Sequence, residues 1–276
     1  MAQPAGDKNK RRGRDIMEFG YYSNLPWLNF LGADKRVPGV LRIALRDMFG
    51  SRCADIELDG VRFRVRPLQN FHDMQIARGT LFEAEKEETA FMKRYLRPGS
   101  VLVDIGANIG AVSVPLAVKT GCRTVAIEPH PQNLQRLHYN AKINALTDFE
   151  IIACAVGVSG TVTLWPHSGN SGRSSVYRSA KSKEGIGVVS KPLLQILNGT
   201  SVSNIDVLKI DIEGAEDIAL VPFFMESPRS LWPQAVNIEH VSSKVWRENC
   251  IDLMVSKGYN ILGVTEKNTL LSVAQH

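Results

Sequence analysis

The sequence predicts an α/β protein: a doubly wound, mostly parallel sheet of seven strands, preceded by a helical and hairpin extension. Three observations carry that expectation. From residue 101 onward, short apolar runs (VLVDI, TVAIE, FEIIACAV, IDVLKIDI, AVNIEH) alternate with segments of helical periodicity. The runs are continuously apolar rather than alternating, as strands buried on both faces are. The first of them leads straight into the turn D-I-G-A-N-I-G, Asp104 to Gly110, and ligands of such sheets sit beyond the carboxyl ends of the strands.

Taken in order, the chain opens on a basic tail, residues 1–15, in which Lys8, Lys10, Arg11, Arg12 and Arg14 crowd together. An extension, residues 16–84, follows. Its YYSNLPWLNFLGADKRVPGVLRIALRDMFG has Val40, Leu41, Ile43, Ala44, Leu45 and Met48 mostly at helical spacings, suiting a helix packed on the domain or one lying on a bilayer through Trp27 and Phe30. ADIELDGVRFRV predicts a hairpin turning at Asp59-Gly60 and capping one edge of the main domain, residues 85–276. AEKEETAFMKRYL predicts an amphipathic helix that stops at Arg97-Pro98-Gly99. Further helices are expected from Gly110, over PQNLQRLHYNAKINA, after Glu213-Gly214 and over SSKVWRENCIDLMVSKG. The stretch TVTLWPHSGNSGRSSVYRSAKSKEGIGVV is expected to start as a strand and continue as a long loop, a type that is often functional. YNILGV and TLLSVA, joined by TEKN, predict a terminal hairpin.

With 276 residues, 44% of them hydrophobic, the chain has ample material for a large core. Cys53, Cys122, Cys154 and Cys250 are scattered without metal-ligand spacing, which suits a reduced, cytoplasmic setting. No apolar h-region follows the tail, and nowhere do about 18 apolar residues run uninterrupted, so neither secretion nor spanning is expected. The formal charge of +5 owes much to the tail, which leaves peripheral contact with the inner membrane surface open. The tail has no interleaved aromatics, so nucleic acid is not the expected partner.

Within the glycine turn, Gly106 permits a tight bend and Gly110 a close strand-to-helix approach. Asn108 stands where a dinucleotide fingerprint has the glycine that lets backbone reach a pyrophosphate. Asp104, at the strand end, would repel a pyrophosphate and attract an ammonium or sulfonium. Glu128 ends the next strand about 20 residues on, the offset of an acid that accepts from ribose hydroxyls. An adenosyl group with a positive amino-acid tail, as in S-adenosylmethionine, meets both conditions. A nicotinamide-dependent oxidoreductase is the competing expectation. Another is a catalytically silent module binding RNA or membrane through the basic N-terminus.

The runs VLVDIGANIG, AIEPHPQNLQRLHYN, SGNSGRSSVY and VLKIDIEGAE, in that order over roughly residues 85–240, resemble the FkbM-like class I methyltransferases, whose fold is Rossmann-like and whose methyl donor is S-adenosylmethionine. The resemblance implies Asp104, Gly106, Asn108 and Gly110 around the methionine end of the cofactor and Glu128 on the ribose. It implies Cys154 and Ala155 beside the adenine, and Glu85 at the family's acidic position upstream of the first strand. It also implies methyl transfer to a hydroxyl of a small molecule, sugar or lipid-linked glycan. The Asn-Pro-Pro-Tyr-like run of amine methyltransferases is replaced here by Lys209 to Gly214.

A hydroxyl needs a base or a metal to become a good nucleophile. Lys209 and Asp211 share one face near the carboxyl end of IDVLKIDI, either as a satisfied ion pair or flanking the substrate hydroxyl. His240, at the end of AVNIEH, is a candidate proton acceptor, and Asp211 with Glu239 are candidates for holding Mg²⁺. Glu213 and Glu216 are expected in the first turn of the next helix. Asn170, Arg173, Ser174 and Ser175 form an adaptable set in the loop expected over residues 168–175. The oligomeric state is not legible.

Overall fold

The computed structural model describes residues 54–66, 70–167, 170–178, 180 and 184–273. The basic tail, the apolar and basic segment before residue 54, Cys53 and the side chains of Asn170 and Arg173 lie outside what is described.

Strands β1 (Ala54–Leu58) and β2 (Val61–Val65) form the predicted antiparallel hairpin. Alternation in β2 turns Val61, Phe63 and Val65 inward, where they are fully buried. They pack with Ile109, Val114 and Leu137, so the hairpin covers helices rather than pairing with the sheet edge. Three short helices follow: α1 (Phe71–Ala77), α2 (Leu81–Ala84) and α3 (Lys86–Lys93). The last is the predicted amphipathic helix, and it buries Phe91 and Met92.

The main sheet then builds outward. It begins with β3 (Val101–Ile105), α4 (Ser113–Thr120), β4 (Arg123–Ile127), α5 (Pro131–Ile143) and β5 (Phe149–Ile152). After an excursion the chain returns through α6 (Leu193–Asn198) to β10 (Val207–Ile210), which pairs in parallel with β3 on its other side. Helix α7 (Glu216–Glu226), β11 (Ala235–Glu239), α8 (Cys250–Ser256) and the hairpin β12 (Tyr259–Val264), β13 (Asn268–Val273) complete it. Across the sheet the order is β12-β13-β11-β10-β3-β4-β5, seven strands in all, with β13 antiparallel to both its neighbours. Every residue of β3 and β11 is buried, which accounts for their mostly apolar character, broken only toward the carboxyl ends by Asp104, Asn237 and Glu239. The order reverses between β3 and β10, so the crevice beyond their carboxyl ends is where a ligand is expected.

Several boundaries differ from expectation. FEIIACAV is not one strand: β5 ends at Ile152, and Ala155–Val156 (β6) enters a second sheet. The expected long loop is largely that second sheet, of order β6-β9-β7-β8, with β7 (Gly160–His167), β8 (Asn170–Ser175) and β9 (Ile186–Lys191). Its glycines and serines conceal strand pairing that is contributed by residues farther along the chain. Helix α4 starts at Ser113 rather than at Gly110, and α8 covers only Cys250–Ser256 of the segment expected to be helical.

Asn140 joins these layers. It is fully buried on α5, accepts from the Arg64 N–H at 2.7 Å and donates to the Ile109 carbonyl at 2.9 Å, tying hairpin, helix and glycine turn together. Asn140→Ala leaves a backbone donor and a backbone acceptor unpaired, and should lower unfolding free energy by about 1–3 kcal/mol in urea titration. An unchanged midpoint would show that these two bonds contribute nothing.

Candidate active site

The crevice at the sheet's reversal is a cavity of about 310 Å³ walled by Gly106, Asn108, Glu128, Asp211 and Glu239, with the His72–Glu85 pair at its side. Its floor begins at β3. The turn after it bends through Gly106 at φ +79°, where an added Cβ would be driven into the Asp211 carbonyl oxygen. Gly106 and Ala107 N–H donate to the Ile127 carbonyl at 2.9 and 3.1 Å, Asn108 N–H to Glu128 Oε2 at 2.8 Å, and Gly110 N–H to the Ala107 carbonyl at 2.8 Å. Four donors of the turn are thus satisfied within the protein. Gly110 does not line the cavity; a Cβ there would meet Val114 and Leu137 at 2.6 and 2.8 Å, so its smallness serves packing of α4 against α5.

Asn108 adopts the left-handed conformation, φ +54°, as asparagine tolerates. Its Oδ1 accepts from Asn70 Nδ2 at 2.7 Å, and its Nδ2 lies 3.1 Å from His72 Nδ1. With Nδ1 as acceptor, the imidazole carries its proton on Nε2, which faces Glu85 Oε1 at 3.3 Å. Burial alone would raise the Glu85 pKa; the hydrogen bond from His72, with the charges of Lys209 and Lys267, outweighs it and lowers it. Asn70 also caps α1 by accepting from His72 N–H, so helix start and glycine turn are fixed by one side chain.

Glu128 is buried at the end of β4, where it accepts from His130 N–H at 2.8 Å and Asn133 Nδ2 at 3.3 Å on Oε1, besides Asn108 N–H on Oε2. Burial nevertheless raises its pKa. Asn133 is braced in turn by Arg136 at 3.0 Å, and Arg136 pairs with the buried Asp73 of α1. Cys154, in the break between β5 and β6, and Ala155, the first residue of β6, line the same cavity as Glu128.

Register sets the opposite wall. Asp104, Lys209 and Asn237 stand side by side on β3, β10 and β11, facing the same way. Lys209 Nζ lies 3.2 Å from Asp104 Oδ1 and donates to the Gly106 carbonyl at 3.1 Å. Burial works against the lysine's charge, and the carboxylates of Asp104, Asp211 and Glu85 outweigh it and raise its pKa. Asp104 itself is absent from the cavity wall and meets the crevice through Lys209.

One step toward the carboxyl ends, Asp211, Glu213 and Glu239 bring one carboxylate oxygen each within 4.8 Å of one another. Glu213 does not begin the helix: it sits in the preceding turn at φ +56°, its carbonyl accepting from Ser175 Oγ at 2.8 Å. Glu216 does begin α7, and its carboxylate accepts from Ile212 N–H, Gly214 N–H and Trp246 Nε1, fixing that turn. Burial, then the neighbouring Asp211, Glu213 and Glu216, push the Glu239 carboxyl up to about 9. His240 points elsewhere: its Nδ1 lies 3.0 Å from Thr269 Oγ1 and it is not part of the cavity wall.

Sequence reasoning missed Asn70, His72 and Asn133. An asparagine ahead of FHDMQIA is a legible helix cap, whereas nothing local marks His72, whose partners lie 36 and 13 residues away.

Among known proteins, residues 104–244 match the model of the Methyltransferase FkbM domain. No curated protein matches the chain. Solved structures with a similar course include a precorrin-6y C5,15-methyltransferase of Geobacter metallireducens GS-15 (12% identity, 69% of this chain and 88% of that one, TM-score 0.43). M. jannaschii TYW2 in complex with AdoMet aligns at 14% identity, over 80% of this chain and 87% of that one, with TM-score 0.39. A Pyrococcus abyssi tRNA (uracil-54, C5)-methyltransferase in complex with S-adenosyl-L-homocysteine aligns at 14% identity, over 81% of this chain and 44% of that one, with TM-score 0.45.

Gly106→Ala should cost at least about 1–3 kcal/mol through its backbone conformation alone, and more through the clash with Asp211, read by thermal unfolding. A variant melting like wild type would mean that β3 and β10 do not approach so closely. Because the folded pKa of Glu85 lies below its ordinary 4.5, the stability it contributes is present above that pH and is lost as pH falls through the folded value. Glu85→Gln should therefore melt below wild type at neutral pH and converge with it on acidification; parallel pH profiles would contradict the His72–Glu85 coupling.

Proposed function

The chain belongs to the FkbM methyltransferase domain family, and on that premise we propose that it methylates a hydroxyl of a small molecule, sugar or lipid-linked glycan, with S-adenosylmethionine as donor. The observation that carries the choice of donor is the engagement of the turn's amides. A dinucleotide site turns loop and helix N–H groups toward a pyrophosphate. Here the N–H groups of Gly106, Ala107, Asn108 and Gly110 are bonded to Ile127, Glu128 and Ala107, and the cavity is lined by the acidic side chains of Glu85, Glu128, Asp211 and Glu213. A positively charged ligand without phosphates suits such walls; a nicotinamide dinucleotide does not.

S-adenosylmethionine supplies an electrophilic methyl group on a sulfonium. Glu128 Oε2, which among the described residues accepts only the Asn108 N–H, retains a lone pair for a ribose hydroxyl. Cys154 and Ala155 flank the adenine position, and Gly106, Asn108 and Glu85 surround the methionine end. Asp104 contributes through Lys209, whose ammonium it holds in place. The acceptor then approaches from the rim of Asp211, Glu213 and Glu239, which faces the hydroxyl proton, with Asp211 the first candidate to take it. The rim's three oxygens are also a donor set for Mg²⁺. His240, bonded to Thr269 outside the cavity wall, receives no role.

No helix among the described residues is long and apolar enough to cross a membrane. RNA or membrane binding through the basic tail concerns residues outside those described.

Incubation with methyl-labelled donor and a panel of hydroxylated acceptors should label at least one of them on oxygen. Glu128→Ala should weaken S-adenosylhomocysteine binding about tenfold or more, the effect of losing a charged hydrogen-bond acceptor. Label found only on nitrogen or carbon would overturn the hydroxyl assignment, and unaltered affinity in the variant would remove Glu128 from the site.

A further inference from the structure

We propose that Asp211, Glu213 and Glu239 hold a divalent cation of the Mg²⁺/Mn²⁺ type, and that this ion selects acceptors bearing two adjacent oxygens, at least one of them a hydroxyl. The inference rests on the methyltransferase assignment for the acceptor, while the ion site rests on the rim itself.

Clustering of three carboxylates is not sufficient, since acidic groups gather on many surfaces. Two further features point to a ligand. Glu239 is only 8% exposed, and its Oε2 has no hydrogen-bond partner among the described residues, although it shares the rim with Asp211 and Glu213. Two residues earlier on the same face of β11, Asn237 is 4% exposed and lines the same cavity, and its Oδ1 is likewise without a partner. A carboxylate oxygen and an amide oxygen, both desolvated and both unpartnered, each cost free energy unless something positive or a donor meets them. Lys209 reaches neither oxygen; its ammonium meets Asp104 Oδ1 at 3.2 Å and the Gly106 carbonyl at 3.1 Å.

The donor set narrows the ion. Oxygen ligands without histidine or cysteine suit Mg²⁺, Mn²⁺ or Ca²⁺ and are poor for zinc or copper. Asp211 and Glu213 are only half-buried and open to the cavity, so a six-coordinate ion with three protein oxygens presents its remaining positions to the acceptor. Two adjacent oxygens chelate such an ion, and a lone hydroxyl does not. Coordination makes the bound hydroxyl more acidic, so its proton passes to water in the open cavity while Asp211 holds the ion instead of the proton. Glu213 is then kept in its left-handed turn by Ser175, whose hydroxyl fixes its carbonyl at 2.8 Å.

Titration of the full chain with Mn²⁺, followed by electron paramagnetic resonance, tests the site, with S-adenosylhomocysteine binding measured in EDTA as a separate arm. One Mn²⁺ should bind at roughly millimolar concentration or below, displaceable by Mg²⁺ and weakened at least tenfold in Glu239→Gln and Glu213→Gln. Both variants should melt no lower than wild type in EDTA, since Glu213→Gln removes one of the crowded charges and Glu239→Gln exchanges a carboxyl that burial already drives toward its neutral form for a neutral amide; this shows that they fold. Added Mg²⁺ should raise only the wild-type melting temperature. Absence of Mn²⁺ binding while S-adenosylhomocysteine still binds overturns the cation site and leaves the methyltransferase assignment standing. Mn²⁺ binding unchanged in both variants overturns it equally. Mn²⁺ binding that depends on Glu239 in a protein that binds no S-adenosylhomocysteine supports the ion site and removes the acceptor assignment.

Discussion

The hydrogen bond from the Asn108 N–H to Glu128 Oε2 is the constraint from which the rest of the site follows. It spans the carboxyl ends of two adjacent parallel strands, β3 and β4, and is 2.8 Å long. It draws the turn into the left-handed conformation that aims the Asn108 side chain at Asn70 and His72, and His72 in turn meets Glu85. The same bond removes from the turn a donor that a phosphate-binding loop would present to its ligand. One carboxylate thus joins the ends of two strands and shapes the pocket between them.

Charge is layered along the sheet by register. The lower layer is a compensated pair in which Lys209 lines the pocket and Asp104 lies behind it, where an unpaired charge would be costly. The upper layer, Asp211 with Glu213 and Glu239, instead gathers three carboxyl groups, one oxygen of each within 4.8 Å of the others. Parallel pairing of β3, β10 and β11 makes this separation automatic, because residues two apart on one strand share a face and differ by one layer. The two layers along the cavity therefore differ in charge for a reason already present in the alternation Lys209–Asp211 and Asn237–Glu239.

Much of this was legible in the sequence, because the informative features were local. Continuous apolar runs marked the strands, the spacing of Gly106, Asn108 and Glu128 marked the turn, and alternation put Lys209 and Asp211 on one face. What was not legible depended on distant partners. His72 gains its place only through Asn108 and Glu85, and the strands at residues 160–191 pair with each other rather than within one local run. Asp104 was expected to face the ligand; at its depth on β3 it lies behind the cavity wall, against Lys209, which does line it. His240 looked available as a strand-end histidine; the alternation of β11 that turns Glu239 into the cavity turns His240 out of it, toward Thr269.

The central claim is that this turn, with its amides engaged by protein oxygens and carboxylates around it, accepts a phosphate-free adenosyl ligand. Calorimetric titration of the full chain with S-adenosylhomocysteine and, separately, with NAD tests it most directly. Saturable 1:1 binding of S-adenosylhomocysteine, with no heat from NAD at the same concentrations, is the predicted result; binding of NAD without S-adenosylhomocysteine would contradict it.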